Sequence, residues 1–587
     1  MFFHRNKIRA SRSVRLATSI LGLLVGFQVL GKESSPLGYP VSRISFSHAQ
    51  SFDDLPDLSE LAKASLELDC SESVVSLFDL MRGASPVLPM SHKDFFKLSE
   101  VALHFMKSKG YEGVVVFPDP KQINPVSGKD LRKQGDTTLG FLVWVSVLKS
   151  VRLDTDGLKE KEENRLKAWM DAYLENADSI DRPIRSQFYD HFQKMGQHPS
   201  RTFKVSLGAT DEPGKVDAVL RAGRRPSKQS TLSLANSGSE TTGKWLFSGS
   251  FRTDQLTGSD DHLSIGLSVS DSGERRAIGG AYHIPLIEPG SLILGVGLGY
   301  SSYDASTFAV QTIDFEGDTF YLDTSLKVSP MSWRGRKHSA DLELGLKWEN
   351  VTAFNSLFVN SADTVLLTPK IQFSLKSRGK IRLAETKVGL HGNLLGIDEG
   401  STSALGGIDV TDRYARFSFS HSEYLKIGNW LTGSSGSGAN DYARRHLLSL
   451  RFQANWALGS DRHLPQHQFI TGGTGSVRGY PESPAAGDDG YFASIEYRFP
   501  VLLADSWSWT ALPFVDFGQT LVNQPFFFES DHTLLGAGLG FEFELPYGML
   551  ARFDFAKPLR ELKSAGIVRD GTRSGDYRVH GLFRWNF

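Results

Sequence analysis

From Ser227 to Phe587, short segments alternate apolar and polar residues, with clusters of turn-forming residues between them. Leu263, Ile265, Leu267 and Val269 alternate with Ser and Gly, and Leu292, Leu294, Val296, Leu298 and Tyr300 alternate mostly with Gly. Further on, Leu535, Ala537, Leu539, Phe541, Phe543 and Leu545 alternate with Gly536, Gly538, Gly540, Glu542 and Glu544. A side chain changes face at every residue of a strand, so one face here is apolar and the other polar or small. In a soluble sandwich the apolar faces would meet in a core; in a membrane barrel they face lipid and the polar faces line a lumen. About sixteen such strands are expected, an even number as in closed bacterial barrels. Closure also leaves no unpaired strand edge in hydrocarbon. Residues 225–587 are therefore read as an antiparallel transmembrane β-barrel.

The amino terminus favours the membrane reading. Arg5, Lys7, Arg9, Arg12 and Arg15 precede an apolar stretch from Leu16 to Leu30, and Val29 and Gly31 are small residues before a cut near Lys32. This is the pattern of a secretory signal over residues 1–31; the stretch is short for a spanning helix. Beyond it no apolar run is long enough for one. The 65 basic and 66 acidic residues nearly cancel, which argues against a nucleic-acid partner, whose binders carry a basic excess. Cys70 is the only cysteine. It excludes an internal disulfide and is expected to be a small packed residue. No metal-spaced Cys/His cluster, GxSxG elbow or HExxH helix occurs, so neither a cofactor nor an enzymatic activity is expected.

Between the signal and residue 225, helical and strand patterns mix. Residues 40 to 48 read as a strand. A helix is expected from Ser91, capped with Asp94, with Phe95, Leu98, Ala102, Phe105 and Met106 on one face and Gly110 as terminator. Val114 to Phe117 and Gly140 to Leu148 read as strands, while 52–89 and 118–136 give no clear pattern. A second unit opens with a strand from Val145 to Leu153. One helix aligns Leu166, Trp169, Met170, Tyr173 and Leu174. Another, from Pro183, aligns Ile184, Phe188, Phe192 and Met195. Two strands follow, through Phe203 to Leu207 and Val216 to Leu220. The order β-α-α-β-β marks a small α/β module, of which the preceding region is a looser copy. The expected divisions are thus 32–144 and 145–224.

The most specific sequence lies late in the chain. Residues 472–500 read GGTGSVRGYPESPAAGDDGYFASIEYRFP, followed by Phe514-Val515-Asp516-Phe517-Gly518. This run resembles the signature of two-partner secretion transporters, the TpsB proteins of the ShlB/FhaC type, relatives of the BamA-type barrel assemblers. The VRGY core is shared across that wider superfamily; Gly487-Asp488-x-Gly490 and Glu496-x-Arg498-x-Pro500 are similar to the TpsB branch. The resemblance covers nearly all of the chain after the signal. It implies two periplasmic polypeptide-transport-associated (POTRA) modules before a sixteen-stranded barrel in the outer membrane of a Gram-negative-type bacterium.

The resemblance also implies site residues. The loop Val477, Arg478, Gly479 and Tyr480 would fold back into the lumen, where Arg478 would meet Asp516 of the strand carrying Phe514 and Gly518. Guanidinium and carboxylate match as a two-pronged pair. Gly475 and Gly479 would give the loop its sharp turns. By alternation Glu496 and Arg498 also face the lumen and are candidate contacts. Phe583, Trp585 and Phe587 resemble the signal read by the outer-membrane barrel-assembly machinery, and equally suit an aromatic girdle beside lipid. The implied partner is a secreted adhesin- or haemolysin-like exoprotein, bound by edge-strand addition to the modules. Many family members carry a plug helix at the amino terminus; here only residues 52–67 could take that role. A barrel assembler and a passive porin are the rival functions.

Overall fold

The computed structural model describes residues 38–587 except 72–73, 178, 240, 288–290, 306–314, 334–337, 357–359, 380, 398, 406–409, 412, 429–444, 460–461, 505, 527–528, 565–566, 569–571 and 574. The expected signal sequence, residues 1–31, lies outside the described residues. Two compact units meet in sequence between Arg225 and Pro226.

The N-terminal unit contains two small α/β modules of matching topology. In the first, strand Arg43–His48 pairs in parallel with Thr138–Val145, which pairs antiparallel with Val114–Pro118. In the second, Val147–Asp156 pairs in parallel with Lys215–Arg224, which pairs antiparallel with Arg201–Ala209. Each sheet thus has its last strand at the centre. Helix His92–Ser108 covers the first sheet. Ser91 and Asp94 form the reciprocal capping box that starts it, and Gly110, at φ +85°, ends it. Phe95, Leu98, Ala102 and Met106 are buried beneath it. Cys70 packs against the same core. Burial, with the Asp94 carboxylate adding to it, pushes the Cys70 thiol up to about 11. The segment proposed as a plug is instead part of this module, since Leu58 and Leu61 are buried in its core.

Two expectations in the second module shift. The strand Thr138–Val145 ends the first module, and the next strand starts at Val147 after a break at Ser146. The second helix begins at Ser186 and not at Pro183. Extended backbone occupies the interval: the Ile184 N–H donates to the Ser146 carbonyl at 3.1 Å, and Glu112 N–H to the Ile184 carbonyl at 2.9 Å. Ile184, Phe188, Phe192 and Met195 nevertheless share one core with Leu166 and Met170 of helix Glu160–Ala177.

The second unit is a closed barrel of sixteen strands, each antiparallel to its neighbours, from Lys228–Ala235 to Arg578–Asn586. Strand His338–Asn355 shows the alternation directly: Leu342, Leu344, Leu346 and Trp348 are exposed on the outside. The intervening Glu343 and Lys347 pair with Lys370 at 2.9 Å and Glu349 at 2.7 Å. An exposed leucine row costs free energy in water and none in lipid, so this surface belongs in a membrane. No helix among the described residues is long and apolar enough to cross one. Strand length varies around the wall, from 8 residues in the first strand to 19 in Asn360–Arg378. A ladder of five residue pairs, from Thr231↔Asn586 to Ala235↔Leu582, joins the first strand to the last, with backbone bonds of Ser230 to Phe587 and Asn236 to Gly581 at its two ends.

Candidate functional site

Between the eleventh and twelfth strands, Leu447–Ala457 and Asp489–Leu503, the segment 462–488 turns back into the barrel. A short hairpin, Phe469–Thr471 with Ala485–Gly487, forms its stem. Asp488 anchors the stem: wholly buried, it accepts from the His463 N–H at 2.7 Å and the Asn523 N–H at 2.9 Å. Gly475 lies inside the turn closed by the Ser476 N–H on the Gly473 carbonyl at 3.3 Å, while the left-handed backbone falls at Gly472, at φ +105°, and Gly473, at φ +90°. Over the turn lies Glu482, whose carboxylate accepts from the Thr474 N–H at 2.7 Å.

The tip presses against the twelfth strand and the thirteenth to sixteenth, Ser508–Leu521, His532–Leu545, Met549–Pro558 and Arg578–Asn586. Val477 and Tyr480 are fully buried with Leu534 and Leu562. The Tyr480 hydroxyl donates to the Arg560 carbonyl at 2.5 Å and accepts from the Leu535 N–H at 3.2 Å. Gly479 adopts φ +97° with its Cα against the backbone of Lys557; a Cβ there would lie 2.8 Å from the Lys557 carbonyl carbon. Gly536, on strand His532–Leu545, makes room from the wall side, because a Cβ there would collide with the Arg478 carbonyl oxygen.

Arg478 and Asp516 are brought together with no water-accessible gap, at 2 % and 0 % exposure. Nε and Nη2 of Arg478 donate to Oδ2 and Oδ1 of Asp516 at 2.7 and 2.9 Å, a two-pronged pair. The Arg478 backbone N–H adds a third bond to the same carboxylate at 3.1 Å. The remaining nitrogen, Nη1, donates to Glu496 at 2.8 Å and reaches Asp554 at 3.4 Å. Below the guanidinium, 3.4 Å from its carbon to the ring centre, lies Phe514. A cation over an aromatic face in a desolvated site adds an attraction of about 2 kcal/mol. Phe514, Asp516 and Gly518 face inward, while Val515 is half exposed on the lipid side.

Glu496 therefore touches the loop arginine. Arg498 does not: it pairs with Glu542 and lies 3.5 Å from Glu496. Two participants are absent from the sequence reading. Arg552 donates to Glu496 at 2.7 Å and to both oxygens of Asp554 at 3.0 and 3.1 Å, bracing the carboxylates around Arg478. The spacing Arg552-x-Asp554 places both on the lumen face of the fifteenth strand, Met549–Pro558. That was readable; their convergence on Arg478 depends on strand register. At the barrel's last strand, Phe583, Trp585 and Phe587 point outward at 44, 40 and 60 % exposure. Trp585 and Phe587 pack with ring centres 4.7 Å apart.

Residues 264–569 match the Omp85 superfamily domain. No curated protein sequence matches the chain. Among solved structures, CdiB from Escherichia coli is similar in fold, at TM-score 0.60 and 14% identity, across 95% of this chain and 92% of that one. CdiB from Acinetobacter baumannii is similar at TM-score 0.57 and 13% identity, across 94% and 91%.

Proposed function

This chain belongs to the Omp85 superfamily of outer-membrane proteins, and from that premise we propose that it is a two-partner secretion transporter. In this reading its N-terminal modules lie in the periplasm and take an unfolded partner polypeptide. The barrel then exports it through the lumen. The observation that carries the reading is the segment 462–488 held inside the barrel by a buried arginine–carboxylate pair. A passive porin gives no account of such a loop, and none of two α/β modules ahead of the barrel. The likeness to CdiB runs through those modules as well as the barrel.

The modules offer edge strands suited to an extended segment. Arg43–His48 lies at one edge of the first sheet and Arg201–Ala209 at one edge of the second. Backbone hydrogen bonds along such an edge bind with little dependence on sequence, as an unfolded cargo requires. Arg478 and Asp516 lock the loop at rest, with Glu496 and Arg552 as supports. Phe583, Trp585 and Phe587 direct assembly of the barrel and then anchor it in lipid. The cargo is a secreted exoprotein of the adhesin or haemolysin class.

The test is quantitative proteomics of culture supernatant and outer membrane after deletion of this chain. Loss of one large exported protein with outer-membrane barrels unchanged is the expected result. Broad loss of barrel proteins would replace the reading with an assembler, and no change in either fraction would leave a porin.

A further inference from the structure

The surroundings of Arg478 are those of a receptor, not only of an ion pair. Strands twelve to fifteen contribute Glu496, Asp516, Glu542 and Asp554, four carboxylates, against Arg498 and Arg552, two guanidiniums, so without Arg478 this wall carries a net charge of −2. Three features fit a guanidinium and not a generic cation. Asp516 presents both oxygens to two nitrogens of one plane. Glu496 and Asp554 meet the third nitrogen. Phe514 offers its ring to the flat face. An ammonium has neither the fork nor the face.

The site is braced without its present occupant. Arg552 holds Glu496 and Asp554 from the other side. The Phe514 ring sits over Gly538, where a Cβ would lie 2.6 Å from its Cζ, so the glycine keeps the ring's place open. Asp516 is different: its carboxylate bonds among the described residues all come from Arg478. When the loop withdraws, this carboxylate loses all of those donors and is left open to another guanidinium that can make the same two-pronged contact.

We propose that this wall is a guanidinium-binding site, filled at rest by Arg478, and that its second natural ligand is an arginine side chain of the polypeptide in transit. The second clause rests on the secretion reading above; the site itself does not. Tethering gives Arg478 the advantage of a high effective concentration, so a cargo arginine competes only as the loop moves. The wall would then hold a passing chain at arginine and release it when Arg478 returns.

Ethylguanidinium and propylammonium, of equal charge and equal carbon count, test the site by calorimetric titration into detergent-solubilised full-length Arg478→Ala, its fold verified by heat-modifiable migration. Ethylguanidinium should bind saturably and about ten-fold more tightly than propylammonium, the worth of one extra charge-assisted hydrogen bond. Adding Asp516→Asn should abolish the preference. Should Arg478→Ala not fold, replacing residues 474–482 by a glycine–serine linker empties the same pocket. No saturable binding to a folded barrel, or equal binding of the two cations, overturns the proposal. The two readings fail separately: selective binding with an unchanged secretome removes transit and keeps the site, whereas secretion without binding removes the site alone.

Discussion

A single guanidinium does more at Arg478 than charge balance requires, because it closes a contact between a connecting segment and a wall formed by several strands. Stranding a buried charge costs about 3–5 kcal/mol. Arg478→Ala and Asp516→Ala should each lower the urea midpoint of the folded barrel and impair secretion, and Arg478→Lys should restore only part of it, since an ammonium cannot make the two-pronged bond. Normal secretion by both alanine variants would remove the lock. Gly536→Val tests the same contact from the wall: its side chain would displace the Arg478 carbonyl, so secretion should fall although no charge is changed. Cys70 gives the opposite kind of expectation. With its thiol pushed up to about 11, it should be alkylated far more slowly in folded protein than in urea, as mass spectrometry after iodoacetamide would show.

At the scale of elements, a strand announces its two faces but not its neighbours' register. Alternation puts Glu496, Arg498 and Asp516 on one face; Glu496 and Asp516 are buried against Arg478, and Arg498 meets Glu496 and Glu542 on that side. The same alternation marks Arg552 and Asp554 no differently from other lumen charges. Only the pairing of the twelfth to fifteenth strands selects them, through contacts such as Ser494↔Asp516 and Asp516↔Gly536. The pairing of Arg478 with Asp516 came from the resemblance and not from spacing. Helix boundaries divide similarly. The Ser91 box was legible because its partners lie within four residues of each other. The start at Ser186 was not, because Pro183 and Ile184 are held extended by Ser146 and Glu112, remote in sequence. Ser91→Ala should destabilise the first module by about 1 kcal/mol. The measurement is hydrogen exchange, where the first turn of helix His92–Ser108 should lose protection while the barrel keeps its own.

For the whole molecule, the two compact units, which meet in sequence between Arg225 and Pro226, divide the labour proposed here. Deleting residues 40–222 should leave a barrel that inserts and migrates as a folded species but exports nothing; continued export would show that the modules do not carry cargo. The barrel also has an order of events written into its connectivity. Fifteen of its sixteen seams join strands that follow one another around the wall, so hairpins can form from nearby chain. The last seam must bring Thr231 to Asn586, 355 residues apart, for a ladder of five residue pairs flanked by bonds at Ser230–Phe587 and Asn236–Gly581. Loop-closure entropy rises slowly, by about 0.6 kcal/mol for each doubling of length, but contacts this distant are still slow to find. The short seam should therefore be the last to zip during biogenesis. Until it does, the nascent sheet holds two open edges, and these need cover from a chaperone or from another sheet already in the membrane.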